Sequence, residues 1–267
     1  MQSPDNNTNN SQRNYFRNGP SHRAGADVSF ADIVKIFSFN SIHIGRWVNA
    51  AEQQRAANLF FDALCDLQLL LQVPPEVISL RGTLALHYGI GGQKGACAHY
   101  QPSGRILALA KNVGGGSLAH EWFHAFDHYI ADKMFASQSK AIQFASRRYL
   151  TASDIQPHLL NEQLALGFKT LFLSSDGLSP SPFFLRCRDI DKAKQLLYFS
   201  LPEEMAARAF EHMLQRQSLK NSFLVSGTQK SAAAKLGVYP DHSLSDALSE
   251  IWLGYFTALG KRLNAKP

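Results

Sequence analysis

Along the chain the spacing of hydrophobic positions changes several times, and each change predicts a different kind of element. Residues 1–26 show no period: Asn, Ser, Gln and Gly dominate and large aliphatics are scarce. Such a tail lacks the apolar surface needed to offset the entropy of ordering and is expected to be disordered. Beyond it Ser29 has the character of an N-cap, and Phe30, Ile33, Val34 and Phe37 recur at helical spacing. A longer helix is predicted from Ala50 to about Leu71. There Leu59, Phe60, Leu64, Leu67 and Leu71 fall mostly at three- and four-residue intervals, and Pro74-Pro75 stop it.

Between residues 77 and 111 the pattern shifts to short apolar runs punctuated by glycine, at 83–88, 96–100 and 106–110. These predict a small sheet whose last two strands form a hairpin around Pro102-Ser103-Gly104. The run 106–110 is the candidate for an exposed edge that pairs with an extended peptide; a fully paired core strand has the same composition. Three glycines and Ser117 then precede residues 118–134, which contain no Gly or Pro and predict a capped, buried helix.

The second half reads as mostly helical. A helix is expected near residues 140–149, irregular chain around 174–182, loop signals over 219–241, and a last helix at about 245–263 with Leu248, Ile251, Trp252, Tyr255 and Leu259 on one side. Ser200 and Glu203 have capping-box spacing with Pro202 between them, which marks another helix start. The sum is an α+β chain: a tail over 1–26, then one domain over 27–267 with a small mixed sheet, a functional helix and a helical C-terminal half.

Composition narrows the setting. With 45% hydrophobic residues in 267, the chain can bury a sizeable core, and no stretch approaches the roughly 18 apolar residues needed to span a bilayer. The N-terminus has no apolar run of the signal-peptide kind, so a soluble, cytoplasmic protein without a membrane partner is expected. Three cysteines, Cys65, Cys97 and Cys187, are far apart and fit reduced thiols better than a disulfide framework. The net charge of +6 permits a nucleic-acid partner without requiring one. Short basic clusters at Arg13, Arg17, Arg23 and Arg147-Arg148 come with no known nucleic-acid-binding motif.

The candidate chemistry lies in His120-Glu121-Trp122-Phe123-His124. Residues four apart on a helix share a face, so both imidazoles can converge on one Zn²⁺, with Glu121 placed to act as general base on a water. The competing reading is a pair of core histidines satisfied by hydrogen bonds. A third protein ligand is needed. The His-x-x-Gly-x-x-His extension is excluded, because positions 127 and 130 are Asp127 and Ile130. A carboxylate from the later helix remains, and since capping occupies Glu203, the choice falls on Glu204 ahead of Glu203, Glu211 and His242. The bland reading of Glu204 is an acid that complements the helix dipole.

Asp127 shares the histidines' azimuth and is expected to accept an outer imidazole N–H directly or through a partner, while Arg208 and Glu211 lie on Glu204's side of its helix to orient it. His128 drifts off that face and is not read as a ligand. Tyr100, Tyr239 and His242 are the candidate donors to an oxyanion.

These residues also resemble a known family. The runs Ala98-His99-Tyr100, 106–111, Gly115-Gly116-Ser117-Leu118-Ala119-His120-Glu121-Trp122 and His124-Ala125-Phe126-Asp127, with Glu204-Met205 and 207–211 downstream, are similar to large polyvalent protein-associated domain 1, a zincin-like domain of phage and mobile-element proteins. Ala26-Asp27-Val28-Ser29-Phe30 and 60–64 extend the similarity from Asp27 to about His212. The helix around His120 also resembles that of calcium-activated chloride channel regulator-type metallopeptidases. The resemblance implies a zincin fold, zinc on His120 and His124, Glu121 as base and Glu204 as ligand. His128 stands where the phage-type domain has Asn, and Phe123 replaces a smaller residue.

The expected function is zinc-dependent hydrolysis of peptide bonds in a peptide or protein substrate. The alternative is a catalytically silent module of the same fold that binds nucleic acid or a partner protein.

Overall fold

Ser29 and Asn49 each start a helix in the same way. Each side chain accepts the backbone N–H three residues on, while the acid there, Asp32 or Glu52, bonds back to the cap residue's own N–H. Two otherwise orphaned donors are thereby satisfied, and α1 (Phe30–Phe37) and α2 (Ala50–Leu71) follow where the periodicity predicts them. The computed structural model describes residues 14–90, 98–110, 116–137, 142–152 and 154–265.

The sheet has four strands in the order β1-β2-β4-β3, with β1 (Ile42–Ile44), β2 (Ala85–Tyr88), β3 (Ala98–Gln101) and β4 (Ile106–Leu109). β1, β2 and β4 run parallel, and β3 returns antiparallel to β4 across a tight turn at Pro102–Gly104, as the hairpin reading expects. Parallel neighbours need a long crossover, which α2 and the short α3 (Pro75–Ile78) supply between β1 and β2. The run proposed as the exposed edge is β4, and it is paired on both sides, with β2 and with β3. That expectation is corrected: the outer strand at this end of the sheet is β3, with β1 at the other end, because the hairpin turns outward and leaves β4 inside. The apolar alternation of a half-buried strand does not distinguish the two positions.

The helix predicted over 118–134 is α4 (Leu118–Met134), but Ser117 makes no cap hydrogen bond. The loop holding Phe223 and Leu224 does that work instead. Gly116 N–H donates to Phe223 O at 2.7 Å, Ala119 N–H to Leu224 O at 3.0 Å, and Ser226 N–H to Gly116 O at 2.9 Å. Further on come α5 (Ala145–Tyr149), α6 (Leu159–Phe172), α7 (Pro182–Lys194), α8 (Pro202–Arg216), α9 (Ala232–Leu236) and α10 (His242–Asn264). Residues 140 and 141 of the helix expected near 140–149 lie outside the described residues, as do residues 96 and 97 of the first hairpin run. α6 and α7 are not among the helices the sequence predicts, although Leu164, Phe168, Leu171 and Phe172 of α6 recur at helical spacing and are buried.

An aromatic core ties α4 to α8 and α10. Trp122 stacks on Phe126 and Phe210 with centroids 5.8 and 5.7 Å apart, Phe123 meets Phe210 at 4.6 Å and Trp252 at 5.3 Å, and Phe256 closes the group. The Trp122 indole N–H donates to Ile78 O at 2.9 Å, so this large ring is buried without an unmet donor.

Residues 14–26 depart from the expected disorder. Asp66 of α2 is fully buried and accepts from Arg17 Nε at 2.6 Å, Arg17 Nη2 at 2.7 Å, His22 Nε2 at 2.8 Å and Asn221 Nδ2 at 2.8 Å. Arg23 pairs with Asp62, and the Tyr15 ring packs edge-on against Phe223. A buried carboxylate demands partners, and this charge pairing orders a segment whose composition alone argues otherwise. No described helix is long and apolar enough to cross a membrane, and Cys65 and Cys187 are free.

Candidate metal centre

Helical spacing places His120 and His124 on one face of α4, and the stacking of Phe210 on Trp122 and Phe123 fixes α8 so that Glu204 arrives opposite them. His120 Nε2 and His124 Nε2 are 3.1 Å apart, and Glu204 sets Oε2 3.4 Å from His120 Nε2 and Oε1 3.4 Å from His124 Nε2. Donors about 2.0 Å from a tetrahedral ion lie about 3.3 Å from one another, so the two imidazoles have the spacing of such a site and the carboxylate faces both of them. Among the described residues these are the side chains singled out as able to hold a metal, with ligand atoms within 4.8 Å of one another. Glu204 Oε2 and His124 Nδ1 are buried and lack a hydrogen-bond partner. A donor set of two imidazoles and one carboxylate with an unmet acceptor fits Zn²⁺.

The electrostatics favour a cation there. Burial disfavours charge on His120, but Glu211 and Glu204 on either side prevail and raise its pKa well above the ordinary histidine value. Burial likewise acts against ionised Glu204, yet hydrogen bonding to His120 and His124 holds its carboxyl well below the usual range.

The helpers divide. Glu211 Oε1 lies 3.2 Å from His120 Nδ1 and accepts the Tyr239 hydroxyl at 3.1 Å, so the outer nitrogen of one imidazole has a carboxylate partner. Arg208 Nη1 lies 3.7 Å from Glu204 Oε2, while its Nε donates to Val238 O and its Nη2 to Phe199 O. Asp127 does not serve an imidazole. It is fully buried and accepts Ser146 N–H at 2.8 Å and Ser146 O–H at 2.5 Å, because α5 packs closer to it than the histidine rings. Burial lifts its carboxyl to about 7, against the pull of the Ser146 bonds.

The capping box over Ser200 and Glu203 is not formed. Leu201 is the cap residue of α8 and gives no side-chain bond. Ser200 instead donates through N–H and O–H to Asp191, and Glu203 pairs with Arg147. The reason given for passing over Glu203 therefore changes, while Glu204 stands at the centre.

Glu121 is half-buried and its Oε2 accepts the Tyr100 backbone N–H at 2.7 Å. The Tyr100 hydroxyl is engaged with His128 Nδ1 at 2.7 Å, and that of Tyr239 with Glu211. His242 opens α10, where it meets Arg216 away from the centre. The residue that sequence reading missed is Tyr198. Its ring lies 5.7 Å from the Arg208 guanidinium, and partial burial followed by the neighbouring Glu204 carboxylate pushes its hydroxyl above the ordinary tyrosine range. Nothing in the local sequence marks it, since its place follows from the turn between α7 and α8.

With this geometry in hand, comparison with known proteins adds a family. Residues 190–263 match the family model of large polyvalent protein-associated domain 1. The match takes in Tyr198, Glu204, Arg208, Glu211 and Tyr239, and begins after the helix with His120 and His124. The motifs of the sequence reading ran from Asp27 to about His212, so the two stretches share residues 190–212. No curated protein and no solved structure matches the chain.

Proposed function

We propose that the protein is a zinc-dependent metallopeptidase, with His120, His124 and Glu204 holding the ion and Glu121 as general base. The observation that carries this is the convergence of two imidazole nitrogens 3.1 Å apart with a carboxylate that sets one oxygen 3.4 Å from each of them, next to a second carboxylate not needed for ligation. When bound, the ion supplies a Lewis acid that polarises a carbonyl and makes water a stronger acid. Glu121 takes the proton from the attacking water and delivers it to the leaving amine, and the Tyr100 N–H fixes its carboxylate for both tasks. Tyr198 keeps its proton at neutral pH, and its hydroxyl, set beside Glu204, is the donor to the developing oxyanion. β3, a terminal strand, offers its main-chain edge to an extended peptide.

The test is metal analysis and mass-spectrometric cleavage of a peptide mixture by the full chain and by Glu121→Gln. Expected are one equivalent of zinc in both proteins and a loss of cleavage of about a hundredfold or more in the variant. A wild-type chain that binds DNA with steep salt dependence and cuts no peptide would instead support the binding-module reading.

A further inference from the structure

The turn between α7 and α8 combines a rigid backbone with exposed apolar side chains. Asp191 is buried and accepts from Tyr198 N–H at 3.2 Å, Phe199 N–H at 2.8 Å, Ser200 N–H at 2.8 Å and Ser200 O–H at 2.6 Å. Arg208 adds a bond to Phe199 O, and Leu196 N–H donates to Asp191 O at 2.9 Å. All of these contacts except the Ser200 hydroxyl bond fix the main chain, and none of them buries the leucines. Leu196 remains 51% exposed, Leu197 76% and Tyr198 42%.

An exposed leucine by itself is ordinary, but three consecutive large apolar residues on a pinned turn form a patch. Tyr198 joins this turn to the candidate centre. The Tyr198 ring lies 5.7 Å from the Arg208 guanidinium, whose Nη1 is 3.7 Å from the Glu204 carboxylate. A surface preorganised in this way loses little entropy when a ligand side chain settles on it.

We infer that Leu196 and Leu197, with the Tyr198 ring, form an apolar ledge that receives a large aliphatic or aromatic side chain of the peptide substrate, next to the bond that is cut. This rests on the metallopeptidase reading and names its substrate class: extended peptides with Leu, Met, Phe or Tyr beside the scissile bond.

The experiment is cleavage-site profiling of a mixed peptide library with the full chain and with Leu197→Asp and Leu197→Met. The exposure of Leu197 allows both variants to fold, and circular dichroism checks that they do. Wild type and Leu197→Met are expected to cut beside large apolar residues. Leu197→Asp is expected to lose that preference and to raise KM for an apolar peptide about tenfold or more, with a smaller change in kcat. Cleavage by wild type without apolar enrichment, or a profile unchanged in Leu197→Asp, overturns the ledge and leaves the peptidase reading intact. Absence of any cleavage by wild type overturns both.

Discussion

Glu211 Oε1 stands 3.2 Å from His120 Nδ1, on the side of the imidazole away from Glu204. Glu204 and Glu211 are seven residues apart on α8, two helical turns, so one helix face flanks the ring with carboxylates. A carboxylate at Nδ1 favours a proton there, which makes Nε2 the nitrogen that ligates when a metal is bound. Glu211→Gln weakens that acceptor without removing bulk. It is expected to lower zinc affinity about 10- to 100-fold, read by competition against a chelating dye.

Asp127 makes a pH prediction whose sign follows from burial. Its carboxyl is raised from 3.8 to about 7, so the folded chain holds a proton that the unfolded chain has released between those values. Stability from this group is therefore greatest near pH 4 and falls as pH rises toward 7, by up to about 1.4 kcal/mol per pH unit, then levels off. Asp127→Asn keeps an acceptor for Ser146 N–H and provides a donor toward its hydroxyl. The difference in unfolding free energy between the two proteins, measured in urea from pH 4.5 to 7.5, should grow with pH in favour of the variant. A flat difference would refute the shift.

Gly116 has φ of +114°, and a Cβ added there would lie 2.1 Å from Ser226 Oγ. Gly116→Ala thus meets both backbone strain and a clash at the point where the 223–226 loop clasps the start of α4. A loss of about 1 to 3 kcal/mol is expected, with weaker metal binding because the helix start shifts. Thermal unfolding with and without zinc separates the two effects.

Arg17 supplies two of the hydrogen bonds that satisfy buried Asp66. Arg17→Ala leaves that carboxylate with His22 and Asn221 and should destabilise the chain by about 1 to 3 kcal/mol. The 14–26 segment is expected to become the first site of limited proteolysis; unchanged cleavage kinetics would show that its anchoring does not depend on this pair.

How much was legible beforehand differs from element to element. α1 and α2 were readable because each has an apolar stripe and a local start or stop signal, Ser29 before α1 and Pro74-Pro75 after α2; the reciprocal caps with Asp32 and Glu52 came only with the structure. α6 was passed over, although its buried Leu164, Phe168 and Leu171 keep helical spacing; its Gly167 is where the Trp252 indole packs, with Nε1 2.1 Å from where a Cβ would be. The pairing of Ser200 with Asp191 also overrode a local pattern, because the buried acid offers a stronger acceptor than a cap geometry does.

By itself the sequence determined the helix of residues 118–134, the shared face of His120 and His124, and the presence of a hairpin before them, all consequences of fixed helical and strand periods. Only the tertiary structure decided that Glu204 rather than Glu203 faces the imidazoles, that Asp127 turns to Ser146, that β3 is an outer strand, and that Tyr198 stands by the centre. Those outcomes depend on how Phe210 seats α8 against α4 and how Asp191 folds the turn before it. They are contacts between residues far apart in the chain, and no spacing within one segment encodes them.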